Sequence, residues 1–107
     1  MIREREIYWA YLGINVGDEE DGKNESFTRP VLIIKKFNNR IAWIIPLSTK
    51  PGNPKYYFQI NQGETDSFVM LSQMRLLSVK RLDNYVTRVS RGQFNAIIKR
   101  LVNLLYY

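Results

Sequence analysis

Two apolar runs set close together near the middle of the chain constrain its fold most strongly. Residues 30–37, PVLIIKKF, and residues 41–48, IAWIIPLS, are each long enough for a strand, and the polar residues NNR join them. Asparagine tolerates the left-handed conformation of tight turns, so this pattern predicts an antiparallel β-hairpin. Because both runs are almost continuously apolar, the hairpin is expected to be buried on both faces.

Shorter segments on either side extend the sheet. Strands are predicted at residues 6–12, 56–60 and 68–71, and QMRLL (73–77) continues the last of these after a break at Ser72 and Gln73. Residues 13–28 and 50–54 carry glycine, proline and charge and are predicted as loops. Ser78 is expected to cap a single helical turn.

The end of the chain has the pattern of an amphipathic helix. Ser90 followed by Gln93 matches a capping box, and a set of apolar residues follows at helical spacing: Phe94, Ile97, Ile98, Leu101, Val102 and Leu105. Five or six short strands and this helix predict a mostly β fold: a small, curled, mostly antiparallel sheet of β-barrel type with a C-terminal amphipathic helix packed against it.

The length of 107 residues fits one domain spanning residues 1–107. No run approaches the roughly 18 apolar residues of a membrane span, and the start MIREREIYWAYLG lacks the cleavage site of a signal peptide. We therefore expect a cytoplasmic protein that does not contact a membrane.

The absence of cysteine and histidine limits the available chemistry. It excludes disulfides and thiol or imidazole catalysis, and it leaves only carboxylates and carbonyls as ligands for a hard cation. The chain also lacks a phosphate-binding P-loop, a dinucleotide-binding glycine motif and a nucleophile elbow. We predict no metal and no cofactor.

The net charge of +6 is unevenly distributed. Residues 18–25 hold one of the sixteen basic and five of the ten acidic residues, so the rest has fifteen against five, a net charge of +10. Such an excess of basic residues favours a polyanionic partner.

Arg29 and Ser48 are the candidate functional pair. Pro30 favours an extended conformation for Arg29, which should project the arginine away from the core as a fixed fork suited to a phosphate. In a hairpin that turns at residues 38–40, paired positions sum to about 78, so Ser48 should lie near Pro30 and Arg29.

Each of these residues also has a structural interpretation. Arg29 could form a salt bridge with the acidic loop, and Ser48 could begin a turn with Lys50. The break at Ser72 and Gln73 fits a bulge, a strand-edge contact or an amide directed into a groove. Aromatic residues including Trp9 and Trp43 could stack on bases, but most should belong to the core.

Taken together, these segments resemble the PemK/MazF family of type II toxin–antitoxin endoribonucleases. REIYWAYLG resembles the opening strand of that family, TRPVLII its arginine–proline strand start, IPLST its proline–hydroxyl strand end and LSQMRLLSVKRL its late Gln-x-Arg segment. The sequence VGDEEDGKNESFTRPVLIIKKF resembles a subgroup with a longer acidic first loop.

The resemblance implies an SH3-like barrel, usually homodimeric, that cleaves single-stranded RNA such as mRNA without a metal. The ribose 2′-hydroxyl would attack the adjacent phosphate and leave a cyclic phosphate, and an acidic antitoxin would neutralise the toxin. By motif, Arg29 and Ser48 correspond to the catalytic arginine and threonine. The substrate-binding residues implied are Thr28, Thr49, Gln73 and Glu25.

The chain departs from the family pattern at several positions. Ser72 stands where some members have aspartate, no histidine is present in the first loop, and Arg5-Glu6 stands where glycine–aspartate is frequent. Glu6 and Glu25 are therefore the candidates for a general base on chemical grounds. The alternative function is a non-catalytic inhibitor of a protein target on the same barrel, like the CcdB-like gyrase poisons.

Overall fold

The computed structural model describes residues 1–13, 27–62 and 65–106. These residues form seven strands and one helix: β1 (Glu6–Gly13), β2 (Phe27–Lys36), β3 (Ile41–Ser48), β4 (Tyr57–Gln62), β5 (Thr65–Met70), β6 (Arg75–Ser78), β7 (Leu82–Arg88) and α1 (Arg91–Tyr106). Two short 3-10 turns, Leu71–Gln73 and Val79–Arg81, flank β6.

The strands form one antiparallel sheet in the order β4-β5-β3-β2-β1-β7, and β6 pairs with β3 outside this path. Strand β3 changes partner along its length, pairing with β6 at residues 41–44 and with β5 at Leu47 and Ser48. This exchange curls the sheet. The predicted class, a mostly antiparallel β fold with a C-terminal helix, is confirmed, although no pairing of the outer strands β4 and β7 closes the barrel in the described residues.

The predicted central hairpin is present. Strands β2 and β3 pair with Val31 opposite Pro46 and Ile33 opposite Ile44, close to the predicted register. Alternate residues of these strands belong to two different apolar clusters, so both faces are buried as expected. The hairpin is therefore the shared wall between two packing layers.

One cluster lies under α1 and the other lies inside the curl of the sheet. The helix-side cluster comprises Ile7, Leu32, Ile34, Ile45, Leu47, Ile60, Val69, Leu71, Val89 and Ile97. The cluster inside the curl comprises Ile2, Ala10, Leu12, Val31, Ile33, Ala42, Ile44 and Leu77.

The helix begins where the sequence predicts. The Gln93 amide donates to Ser90 Oγ at 3.1 Å, as an N-cap requires. The helix packs Phe94, Ile97, Ile98, Leu101 and Leu104 against the sheet. The predicted apolar stripe is wrong at Val102 and Leu105, which are exposed because Leu104 takes the inward position on the last turns.

Two strand predictions need correction. Strand β2 starts at Phe27 rather than Pro30, because Thr28 and Arg29 already pair with β1; only the ladder to β3 begins after the proline. Strand β7 was not predicted, since its residues are mostly exposed and show no apolar alternation. The turn capped by Ser78 is confirmed, with the Lys80 amide donating to Ser78 Oγ at 3.3 Å. None of the described helices has the length and apolar character to span a membrane.

Candidate functional site

Arg29 lies on β2 where this strand passes between β1 and β3. It pairs with Ala10 on β1, and its Nη1 donates to the Leu47 carbonyl oxygen at the end of β3, at 3.1 Å. The expectation that Arg29 projects away from the core is wrong, because the side chain is half-buried across the end of the hairpin. The guanidinium consequently lies beside the peptide that leads into Ser48.

Ser48 ends β3 and is enclosed rather than exposed. It pairs with Phe68 on β5, which leaves only 6% of its surface accessible. Its Oγ accepts a hydrogen bond from the Lys50 amide at 3.0 Å, so the predicted turn is present. The expected meeting of Arg29 and Ser48 at one end of the hairpin is found, and the hydroxyl orientation is set by this turn.

The loop after Ser48 is held from two sides. Gly52 packs on the Tyr57 ring, where a Cβ would approach within 2.4 Å, so a side chain would force this loop to move. Arg100 on α1 donates to the carbonyl oxygens of Pro54 and Lys55. These contacts tie the loop that follows the candidate site to the helix.

The remaining predicted site residues are not equally well placed. Thr28 and Thr49 are exposed on either side of the Arg29–Ser48 pair, one position from each. Gln73 is half-buried in the 3-10 turn that packs against β3 and precedes the β3–β6 ladder. The predictions of a bulge or a strand-edge contact at Ser72 and Gln73 are therefore wrong, because both residues belong to this turn. Glu25 lies outside the described residues, as does the acidic loop proposed to bridge to Arg29.

Arg81 is a second cation at this end of the sheet, and it was missed from sequence. Its Nη1 donates to the Tyr11 carbonyl oxygen at 3.4 Å, and Tyr11 pairs with Thr28. Only the unpredicted start of β7 brings Arg81 to β1, so no local pattern could have indicated it.

Glu6 belongs to a structural cluster and is poorly placed as a general base. Its Oε1 accepts from the Arg3 amide at 2.7 Å and from the Tyr8 hydroxyl at 2.9 Å, and its Oε2 lies 3.8 Å from Arg88 Nη2. Glu6 is also four residues along β1 from Ala10, the partner of Arg29, which is about 13 Å at 3.3 Å per residue.

Tyr8 is half-buried beside Glu6 in this cluster. Burial, followed by the hydrogen bond to Glu6 and its negative charge, raises the pKa of Tyr8 to about 12. The Tyr8 ring also packs edge-to-face against Tyr85, with 5.7 Å between centroids. A phenol and a carboxylate held in this way stabilise the start of β1.

The tryptophans differ from the expectation that most aromatic residues belong to the core. Trp9 and Trp43 are 41% and 39% exposed. The described residues contain no cluster of three or more aspartate or glutamate side chains that could hold a metal ion.

Comparison with known proteins places the chain among toxins. The sequence model of the family described as PemK-like, MazF-like toxin of type II toxin-antitoxin system matches residues 3–105. No protein with a curated description matches the sequence.

Solved structures with low sequence identity share the fold. MazF from Deinococcus radiodurans superposes with a TM-score of 0.78 at 13% identity, over 97% of this chain and 96% of that one. An endoribonuclease in complex with its cognate antitoxin, from a mycobacterial species, gives 0.77 at 15% identity, over 99% and 96%. Mycobacterium tuberculosis toxin MazF-mt6 gives 0.71 at 17% identity, over 95% and 97%.

Proposed function

Because the chain belongs to the PemK-like, MazF-like toxins of type II toxin–antitoxin systems, we propose that it is a metal-independent endoribonuclease for single-stranded RNA. The observation that carries this proposal is the hydrogen bond from Arg29 Nη1 to the Leu47 carbonyl oxygen. It places an always-charged guanidinium beside the peptide that leads into Ser48, and this pair of residues is a suitable site for a phosphodiester. The whole of residues 1–107 would act as one toxin domain.

In the proposed reaction the ribose 2′-oxygen attacks the adjacent phosphorus. The 2′-hydroxyl loses its proton, a bond forms from the 2′-oxygen to phosphorus, and the bond to the 5′-oxygen of the next nucleotide breaks. That 5′-oxygen takes up a proton, and a 2′,3′-cyclic phosphate remains. Arg29 would stabilise the negative charge that develops on the phosphate oxygens.

Ser48 would donate a hydrogen bond from its hydroxyl to the same phosphate. The Lys50 amide already occupies a lone pair of Oγ, which leaves the O–H to act as a donor. Thr28 and Thr49 are exposed beside the pair and would contact the neighbouring nucleotides, with Gln73 reading a base edge. Glu25 remains a proposed substrate contact. It is also the better candidate for the general base, because Glu6 is far along β1 from Arg29.

The test is cleavage of a mixed-sequence single-stranded RNA in EDTA, with the products analysed for a cyclic phosphate. Wild type should cut and Arg29→Ala should not. Equal cutting by both proteins would overturn the site assignment, and cleavage that requires a divalent metal would overturn the mechanism. Inhibition of growth without RNA cleavage would favour the protein-target alternative.

An acidic antitoxin is the proposed protein partner. The chain outside residues 18–25 carries a net charge of +10, which suits an acidic, partly disordered segment that mimics RNA. The same charge predicts that RNA affinity falls steeply between low and moderate salt. An affinity unchanged by salt would contradict a nucleic-acid substrate.

We also propose that the protein is a homodimer. Several large apolar side chains remain exposed on the described part of the chain, among them Trp9, Tyr11, Tyr85, Val86, Val102, Leu105 and Tyr106. A second copy would cover part of this surface. A monomeric mass in light scattering at micromolar concentration would contradict the dimer.

A further inference from the structure

A second surface combines exposed aromatic and basic side chains at the end of the hairpin opposite Ser48. Trp43 on β3 pairs with Lys35 on β2 and with Leu76 on β6. Directly paired residues of antiparallel strands present their side chains on the same face, so these three form a row across three strands. Phe37 packs against Trp43, and we call these four residues the hairpin patch.

The apolar part of the hairpin patch is accessible and held in place. Phe37, Trp43 and Leu76 are 43%, 39% and 51% exposed. The rings of Phe37 and Trp43 meet edge-to-face, with 4.9 Å between centroids and 88° between planes. A Trp side chain fixed in this way loses little conformational freedom when a flat ligand stacks on it.

The charge around the hairpin patch is predominantly positive. Lys35 belongs to it, and Arg40 is exposed on the adjoining turn. Residues 35–55 contain five basic residues and no acidic one. The acid described beside it is Glu4, whose Oε2 accepts the Lys36 amide at 2.8 Å. That hydrogen bond first, and then the charges of Lys35 and Lys36, lower the pKa of Glu4.

We propose that the hairpin patch binds single-stranded RNA outside the cleavage site, with a base stacked on Trp43 and a phosphate on Lys35. Stacking on an exposed aromatic and contact with an adjacent cation are the two elements of sequence-tolerant single-strand binding. The positive surroundings favour a polyanion over an apolar partner. This proposal rests on RNA being the substrate.

The patch and the Arg29–Ser48 pair are separate contacts. Trp43 and Ser48 are five residues apart on β3, which is roughly 17 Å at 3.3 Å per residue. Trp43 also lies on the opposite face of the strand from Ser48 by alternation. The patch would therefore hold nucleotides that flank the cleaved bond and favour long substrates over short ones.

The experiment uses a probe that cannot be cleaved by 2′-hydroxyl attack, a 2′-O-methyl oligouridylate of 20 nucleotides. In a Trp9→Phe variant, Trp43 is the remaining tryptophan, so the tryptophan fluorescence reports on Trp43 alone. The probe should quench this fluorescence. The probe concentration that gives half of the quenching should rise as salt is raised. An unquenched Trp43 at saturating probe would overturn the proposal.

Affinities from the anisotropy of a labelled probe complete the test. Trp43→Ala should weaken binding roughly tenfold, and Trp43→Phe less, because a flat ring remains. Lys35→Glu should also weaken binding severalfold, whereas Lys99→Glu, the same charge change on the exposed side of α1, should weaken it less. If Trp43→Ala is too unstable to be assayed, the comparison of Lys35→Glu with Lys99→Glu still tests the proposal.

The outcomes separate this proposal from the proposed function. Quenching together with weaker binding by Trp43→Ala and Lys35→Glu supports the patch even if wild type cleaves no RNA. If wild type cleaves RNA but Lys35→Glu and Lys99→Glu bind the probe with equal affinity, the hairpin patch does not bind RNA. The assignment of the cleavage site is unaffected by that result. Quenching by a polyglutamate peptide at lower concentration than by the probe would identify a protein partner and also overturn it.

Discussion

The two ends of β1 hold polar clusters that reach to different parts of the sheet. At the start of the strand, Glu6 accepts hydrogen bonds from Arg3 and Tyr8 and lies 3.8 Å from Arg88 Nη2, so these contacts join the start of β1 to the end of β7. Further along, Arg29 pairs with Ala10 and donates to the Leu47 carbonyl oxygen at the end of β3. This hydrogen bond places a charged donor beside the strand end that carries Ser48, where a phosphate oxygen would accept a stronger hydrogen bond than a neutral carbonyl does.

The difference shows why a residue's chemical type does not identify its role. Glu6 and Arg29 are both ionised groups at the margin of one sheet, and both were candidates on chemical grounds. The network around Glu6 holds the first residues of β1, whereas Arg29 spans to the strand end that carries Ser48. We therefore expect changes at the first cluster to alter stability and changes at the second to alter activity.

The largest expected effect is the loss of RNA cleavage in Arg29→Ala. A donor aimed at a developing phosphorane charge contributes about 3 to 4 kcal/mol by analogy with oxyanion donors, which is a hundredfold or more in rate. Arg88→Ala is the matched control, since it removes an arginine from the Glu6 cluster and should leave cleavage within about twofold.

Rates are measured with single-stranded RNA in EDTA, and thermal melting is followed for both variants. Arg29 is half-buried, so a modest fall in melting temperature is expected for Arg29→Ala. If Arg88→Ala lost as much cleavage as Arg29→Ala, the distinction between the two clusters would be wrong.

Ser48→Ala should have a smaller effect on cleavage and a measurable effect on stability. One neutral hydrogen bond contributes about 1 kcal/mol, so the rate should fall roughly fivefold. Because Ser48 is buried and its Oγ accepts the Lys50 amide, the variant should also lose about 1 kcal/mol of unfolding free energy. Ser48→Thr keeps the hydroxyl and should retain more activity; equal rates for wild type and Ser48→Ala would exclude the hydroxyl from the reaction.

Local patterns were sufficient to predict the hairpin, the helix and the proximity of Arg29 and Ser48. The hairpin register follows from the position of the turn, and the helix start follows from the Ser90 cap. The burial of Ser48 could not be predicted, because β5 covers it and Phe68 is twenty residues away in sequence. Strand β7 was missed for a related reason: its position depends on pairing with the distant β1 and not on its own apolar pattern.

Arg5→Gly is expected to stabilise the Glu6 end of β1. Arg5 has a φ of 76°, a conformation that costs a residue with a Cβ roughly 1 to 2 kcal/mol, and its Nε is buried without a hydrogen-bond partner. Its amide donates to Ile33 and its carbonyl oxygen accepts from Val89, and these bonds fix the conformation.

Glycine gains freedom in the unfolded chain, so the net gain in Arg5→Gly should be about 0.5 to 1 kcal/mol. Urea unfolding of the two proteins measures it. Arg3→Gly is the control, because Arg3 does not have a positive φ and should gain nothing. A destabilised Arg5→Gly protein would show that the arginine side chain contributes more than its conformation costs.

The smallest expected effect is a pH dependence carried by Tyr8. Burial and the contact with Glu6 raise its pKa to about 12, above the value of 10.0 for an unperturbed phenol. Between these values the folded protein keeps a proton that the unfolded chain releases, so the contribution of Tyr8 is complete below pH 10 and declines as pH rises towards 12. The difference in unfolding free energy between wild type and Tyr8→Phe should accordingly be constant from pH 8 to 10 and shrink above pH 10.

In a Glu6→Gln background this decline should be weaker. The carboxylate supplies part of the pKa shift of Tyr8, while burial, the largest cause of the shift, remains. Urea titrations at pH 8, 9, 10 and 11 make the measurement, and a difference that stays constant or grows above pH 10 would contradict a raised pKa of Tyr8 at the start of β1.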